Sequence, residues 1–141
     1  MREPLMHTIS HHAALIYVMV VISASDGAMT DGELEAIGRR VRTLPVFRDF
    51  DPERLVAVAQ ECAAILQDDD GLNAVLGLAA EALPMHLRET AYYLALEMAL
   101  TDTSVKLEEI RVIERLRHAL ELEKLIAAAL ERGARARYQT A

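Results

Sequence analysis

The octapeptide DGAMTDGE, residues Asp26 to Glu33, separates an apolar segment from an amphipathic one. A less complete copy runs from Asp102 to Glu109, and in both copies an aspartate precedes a glutamate by seven positions. Acidic side chains are favoured at the start of a helix, and their oxygens are also the ligands that hard cations prefer. Each copy is therefore both a candidate helix start and a candidate binding site.

The two copies belong to a longer internal repeat in which matching residues are 76 positions apart. The identical pairs are Tyr17 and Tyr93, Asp26 and Asp102, Glu33 and Glu109, Ile37 and Ile113, Arg39 and Arg115, and Leu44 and Leu120. The apolar segment Ser10 to Ala24 contains many β-branched residues and, considered alone, is also compatible with a buried strand. Its second copy, Ala91 to Leu100, consists mostly of good helix formers. The repeat therefore predicts two buried helices that lie side by side.

Capping and helix-breaking residues define the remaining helices. Thr30 and Glu33 are the two ends of a capping box that predicts the start of a second helix, and Pro45 marks its end. Asp51 followed by Pro52 predicts the start of a third helix, which an acidic run ends. Four further helices are predicted at about Leu72–Leu83, Met85–Thr101, Val105–Leu120 and Glu123–Arg132.

The predicted architecture is a compact all-α bundle of about seven helices with an internal pseudo-symmetric repeat of helical hairpins. One hairpin joins helices one and two, and its counterpart joins helices five and six. A chain of 141 residues is long enough for a single domain, whose core we expect to span about residues 7–130. Gly133 is predicted to end the last helix, which leaves Ala134 to Ala141 as a frayed tail.

The composition favours an acidic protein of the cytoplasm. The 22 acidic and 15 basic side chains give a net charge of −7, which argues against a broad nucleic-acid-binding face and suits a cationic ligand. Cys62 is the only cysteine, so no internal disulfide can form, as is usual in a reducing compartment. The apolar run Ala13 to Ile22 is shorter than the roughly 20 residues that cross a bilayer, and we interpret it as a core helix and not as a signal peptide.

The acidic residues of the two segments are the candidate metal ligands. They are Asp26, Asp31, Glu33, Asp102 and Glu109. If the two hairpins pack together, all of these except Asp31 could converge on one divalent cation, and Ca²⁺, Mg²⁺ or Mn²⁺ is favoured over Zn²⁺ because every ligand is an oxygen. The spacing differs from that of an EF-hand loop. The alternative is that the same acids only cap helices.

Other polar residues are interpreted as structural. His7 and His11 are one helical turn apart and His12 is adjacent, but no third ligand is nearby, so we expect these histidines to be solvated. The run Asp68 to Asp70 is expected to be a solvated turn whose last member caps the next helix. Cys62 lies on an apolar helix face and is expected to be a small core residue.

The sequence contains none of the common catalytic motifs. It has no glycine-rich phosphate loop, no G-x-S-x-G elbow, no H-E-x-x-H and no dinucleotide fingerprint. We therefore expect a protein that is not an enzyme and that uses no organic cofactor.

The acidic repeat resembles that of the tellurite-resistance TerB family of helical domains. The resemblance rests on Ser25–Gly27 followed by Glu33, and on the weaker copy Thr101–Thr103 followed by Glu109, and it covers about His7 to Ala129. It implies an acidic surface that binds a divalent metal through the two repeated aspartates and the two repeated glutamates. It also implies a role in a cytoplasmic or membrane-associated stress system.

The second copy departs from the family pattern. Thr103 stands where a glycine is expected after Asp102, and Lys106 stands at the position equivalent to Thr30. Because Lys106 adds a cation beside the second segment, we expect the first segment to dominate any shared site.

Two functional hypotheses follow from these observations. One is a TerB-like domain that binds a divalent cation in a tellurite, metal or general stress response. The other is a metal-free interaction module whose acidic face docks another protein of a stress or membrane-associated complex. Neither requires a nucleic-acid partner or a membrane span.

Overall fold

The computed structural model describes residues 8–25, 28–101 and 107–141. Within these ranges the chain forms seven α-helices and no β-strand, which confirms the predicted all-α class. The helices are α1 (His11–Ser23), α2 (Asp31–Thr43), α3 (Leu55–Leu66), α4 (Gly71–Ala82), α5 (Met85–Leu100), α6 (Leu107–Ala119) and α7 (Lys124–Arg137). Short 3₁₀ turns at Pro45–Phe47 and Pro52–Arg54 connect α2 to α3.

Helix α1 is the centre of the bundle. Every residue from His12 to Ser23 is buried, and α1 packs most extensively against α5, with further contacts to α4 and α3. A helix that is surrounded on all sides needs no polar face, which explains why its apolar residues lack a helical period. Ser10 begins the helix by accepting a hydrogen bond from the backbone N–H of Ala13 at 3.0 Å. The prediction of a buried helix here is confirmed.

The internal repeat is present in the helices themselves. The first and last residues of α2 and α6 are each separated by 76 positions, the offset of the sequence repeat. Helix α2 packs on α1, and α6 packs on α5, so the two hairpins are built alike. Ala36 and its counterpart Val112 are both buried in the core.

The side chain of Arg88, on α5, connects the end of α4 to the end of α6. Its Nε donates to the carbonyl of Leu83 at 3.1 Å and its Nη2 to that of Ala80, both at the end of α4. Its Nη1 donates to the carbonyl of Leu120, just after α6, at 3.0 Å. Carbonyls at helix ends lack intrahelical partners, so one arginine on α5 satisfies groups on two neighbouring helices.

The prediction that the last helix ends before Gly133 is wrong. Helix α7 continues through Gly133 to Arg137, so most of the segment that was predicted to be a frayed tail is helical. A glycine inside a helix costs only about 1 kcal/mol relative to alanine. That cost is offset here because Ala134 is fully buried and Arg137 forms an ion pair with Glu97 on α5.

Candidate functional site

The first acidic segment builds the start of α2. The backbone N–H of Glu33 donates to Thr30 Oγ1 at 3.1 Å, and the backbone N–H of Thr30 donates to Glu33 Oε1 at 2.8 Å. The predicted capping box is therefore confirmed, and Glu33 has a structural role whether or not it has another. Asp31 is exposed in the first turn of the helix. Asp26 and Gly27 lie outside the described residues.

The second segment places its glutamate at the equivalent position of α6. Glu109 is the third residue of α6, as Glu33 is the third residue of α2. The two differ in environment, because Glu109 is only 6% exposed whereas Glu33 is half-buried. Asp102, Thr103 and Lys106 lie outside the described residues. The structure thus shows two equivalent glutamates, each in the first turn of a helix where the dipole favours negative charge.

Whether the four acids surround one ion depends on residues that the structure does not describe. Among residues 8–25, 28–101 and 107–141, no group of three or more His, Cys, Asp or Glu side chains is placed to hold a metal ion. Glu33 is compatible with a ligand role, because a carboxylate has two oxygens and the cap uses only Oε1. The convergence of Asp26 and Asp102 with the two glutamates remains a prediction.

The prediction that the N-terminal histidines are solvated is wrong for His12. This residue is 9% exposed, and its Nε2 lies 3.0 Å from the carbonyl oxygen of Val46 and 3.1 Å from Asp49 Oδ1. The rings of Phe47 and Phe50 flank the imidazole, with centroids 5.8 Å and 5.3 Å away. His12 therefore fixes the loop after α2 against α1. His7 lies outside the described residues.

Cys62 and the acidic run at Asp68 to Asp70 have structural roles. Cys62 is fully buried, and burial raises the pKa of its thiol to about 12, so it stays protonated and is a poor nucleophile. This confirms the interpretation of Cys62 as a core residue. Asp70 precedes α4 but forms no side-chain cap with the helix backbone; its Oδ1 accepts from Asn73 Nδ2 at 2.7 Å. The prediction that Asp70 caps α4 is wrong in that respect.

A buried ion cluster that the sequence analysis did not identify joins α2, α5 and α7. The carboxylate of Glu97 is held on both oxygens: Arg40 Nε lies 3.1 Å from Oε1, and Arg137 Nε lies 3.0 Å from Oε2. Arg40 also donates through Nη1 to the carbonyl of Ala36 at 3.0 Å and through Nη2 to the hydroxyl of Tyr138 at 3.2 Å. The side chains of Arg40 and Glu97 are only 12% and 10% exposed, whereas that of Arg137 is 63% exposed.

The cluster lies in the wall of a cleft of ≈ 760 Å³ between these three helices. A volume of this size is typical of sites that bind small ligands. The rest of its lining combines the polar residues Arg39, Thr43, Glu89, Thr90, Tyr93 and Thr101 with the apolar residues Leu44, Leu94 and Leu130. This cleft is the second candidate site of the molecule.

Two side chains of the cleft, Tyr93 and Arg137, have raised pKa values. Burial, followed by the charge of Glu97, raises the pKa of Tyr93, so its hydroxyl stays neutral and able to donate. A hydrogen bond with Tyr138, followed by the charge of Glu97, raises the pKa of Arg137. The guanidinium that closes the cluster is therefore a permanent cation.

One signal in the sequence could have indicated the cluster. Glu97 is the only charged residue in the apolar segment Ala91 to Leu100, and its counterpart in the repeat is the buried Val21. A charged residue on a helix that is otherwise buried needs a partner. The identity of that partner is not visible in the sequence, because Arg40 is 57 positions away.

Comparison of the chain with protein-family models, with curated proteins and with solved structures found no match. In the part of the chain that the structure describes, no helix combines the length and the apolar character needed to cross a lipid bilayer.

Proposed function

We propose that this protein is a cytoplasmic, TerB-like binding domain whose ligand is a divalent cation held by the two acidic inter-helix segments. Asp26, Glu33, Asp102 and Glu109 are the proposed ligands, with Asp31 at the edge of the site. Ca²⁺, Mg²⁺ and Mn²⁺ are the candidate ions because hard cations prefer oxygen ligands. Binding would link the protein to a tellurite, metal or general stress response and requires no catalytic step.

The observation that carries this proposal is the equivalence of Glu33 and Glu109. The repeat keeps a glutamate at the third position of both α2 and α6, although capping alone requires it only in α2, where Thr30 completes the box. The counterpart of Thr30 is Lys106, which cannot act as the acceptor of a capping box. A capping box therefore accounts for Glu33 but not for Glu109, which is buried in the first turn of α6.

Calorimetric titration with Ca²⁺, Mg²⁺, Mn²⁺ and Zn²⁺ tests the proposal. We expect at least one of the first three ions to bind the natural protein, and the double variant Asp26→Asn with Asp102→Asn to bind it more than about tenfold more weakly, roughly 1.4 kcal/mol. Failure of every ion to give heat or to raise the melting temperature of the natural protein would contradict it.

Two matched variants separate ligand binding from capping. Glu33→Gln keeps an oxygen that can accept from the Thr30 N–H but removes the charge, so we expect weaker metal binding with nearly unchanged stability. Thr30→Ala removes the hydroxyl acceptor and should lower the free energy of unfolding by about 1 kcal/mol with unchanged metal affinity.

The second candidate function is a metal-free interaction module, and one surface feature favours it. At the start of α6, Leu107 and Ile110 are 59% and 47% exposed beside the exposed acid Glu108. Exposed apolar side chains that are rimmed by polar ones mark surfaces where a partner protein binds. This function would be supported if pull-down of a cellular partner is lost in Leu107→Ser with Ile110→Ser while all four metal ions give no calorimetric signal.

A further inference from the structure

The guanidinium group of Arg137 lies in the wall of the cleft between α2, α5 and α7. Arg137 is the last residue of α7, and its Nε lies 3.0 Å from Glu97 Oε2. Its guanidinium carbon is 5.6 Å from the centre of the Tyr138 ring, a geometry that favours a cation over an aromatic face. A carboxylate oxygen and an aromatic ring together recognise a planar cation.

The second carboxylate oxygen of Glu97 is arranged for this role by the rest of the cluster. Arg40 binds Oε1 and is itself fixed by the carbonyl of Ala36 and the hydroxyl of Tyr138. Arg40 is nearly buried and therefore belongs to the scaffold, whereas the Arg137 side chain is mostly exposed. The two arginines that contact Glu97 thus differ in kind: Arg40 is part of the scaffold, and Arg137 is a mostly exposed group that binds Glu97 Oε2.

The electrostatics of the cleft suit one added positive charge. Without Arg137, the charged residues of its lining are two arginines, Arg39 and Arg40, and two glutamates, Glu89 and Glu97. The lining also includes Leu44, Thr101 and Tyr138, which are the C-terminal caps of α2, α5 and α7. Each helix C-terminus carries roughly half a negative charge. The formal charges cancel, and the helix ends leave the cleft attractive to a cation.

We propose that this cleft is a receptor for the guanidinium group of an arginine side chain on a partner polypeptide, and that Arg137 is a tethered competitor for Glu97 Oε2 which such an arginine displaces. The partner's arginine would bind Glu97 Oε2 and lie over Tyr138 as Arg137 does. The site is separate from the acidic segments and needs no metal ion. The proposal of a guanidinium site can therefore be tested independently of the proposed cation binding.

The test is to remove the Arg137 side chain and to add a free guanidinium compound in solution. Arg137→Ala is titrated with ethylguanidinium while the amide signals of Tyr93 and Tyr138 are followed by NMR. A tethered side chain competes at an effective concentration on the order of 10 mM, so a ligand that binds the open cleft with a Kd of about 1 mM should bind the natural protein about tenfold more weakly. Ethylammonium has the same charge without the planar fork and should bind Arg137→Ala several-fold more weakly than ethylguanidinium does.

A matched control is available on the same helix. Arg132 is exposed and is not part of the cleft lining, so Arg132→Ala removes the same charge and should behave like the natural protein. Arg137→Gln, which keeps part of the aliphatic stem, is a second variant that should behave like Arg137→Ala. The melting temperature of each variant establishes that it is folded.

Three results would overturn the proposal. The first is the absence of saturable shifts at Tyr93 and Tyr138 in both Arg137 variants up to 50 mM ethylguanidinium. The second is that ethylammonium binds Arg137→Ala as tightly as ethylguanidinium does. The third is that Arg132→Ala gains as much affinity for ethylguanidinium as Arg137→Ala does. Metal titration of the natural protein is unaffected by any of these outcomes, so the two proposals can fail separately.

Discussion

Replacing Arg40 by methionine is expected to lower the free energy of unfolding by about 3 kcal/mol, one of the two largest effects of a single substitution that we foresee. The side chains of Arg40 and Glu97 are 12% and 10% exposed, so the substitution leaves a nearly buried carboxylate without its main partner. Arg137 remains, but its side chain is 63% exposed and compensates the charge poorly. Removing one partner of a buried ion pair is costly because the other charge stays desolvated.

Urea denaturation with a matched control measures this effect. Arg39→Met changes the adjacent, exposed arginine and should alter stability by less than about 0.5 kcal/mol. The double variant Arg40→Met with Glu97→Leu removes both charges, and we expect it to regain at least half of the loss, since apolar replacements of buried ion pairs are often tolerated. Equal losses for Arg40→Met and Arg39→Met would show that the cluster is not the buried unit described above.

Gly71→Ala is expected to lower the free energy of unfolding by about 2–3 kcal/mol. A Cβ added at Gly71 would overlap the carbonyl oxygen of Ile65 and lie 2.8 Å from the Cα of Leu66. Both atoms belong to the backbone at the end of α3, so they cannot move aside as a flexible side chain would. The turn is already tight, because Asp70 adopts a φ of 60°.

Gly77→Ala is the control within the same helix and should change the free energy of unfolding in the opposite direction. Apart from its chain neighbours and the backbone of its own helix, no atom lies within 4 Å of a Cβ added at Gly77, which is inside α4. Alanine is favoured over glycine in a helix interior, so we expect a gain of about 0.5–1 kcal/mol. Thermal or urea denaturation of the two variants compares them directly, and a loss at Gly77 similar to that at Gly71 would contradict the packing explanation.

Much of the fold could be predicted because local signals and the repeat agreed. The capping box at Thr30 and Glu33 marks the start of α2 at the residue level. The helical nature of α1 was less evident, because Val18, Val20 and Val21 favour strands. It was predicted from the second copy of the segment, which consists of better helix formers. The end of α7 was predicted wrongly because Gly133 is a stop signal only when nothing beyond it packs.

The contacts that build the cleft were not predictable in the same way. The Arg40 to Glu97 pair spans 57 positions, and the Arg40 to Tyr138 contact spans 98, so no local pattern links them. The repeat was no guide either, because its counterpart of Glu97 is Val21 and its counterpart of Arg40 is Leu116. The Arg40 to Glu97 pair uses residues that differ between the two halves of the repeat, whereas the acidic segments contain residues that the two halves share.

We propose that the two acidic segments bind one ion together, and titration with Mn²⁺ tests this directly. Mn²⁺ broadens the NMR signals of nearby nuclei, so the amides of Glu33 and Glu109 can be followed separately during a titration. We expect both signals to broaden together below one equivalent, and both to need a higher Mn²⁺ concentration in Asp26→Asn, which alters only the first segment. A Glu109 signal that is unaffected in the natural protein, or that broadens at the same Mn²⁺ concentration in Asp26→Asn as in the natural protein, would contradict a shared site.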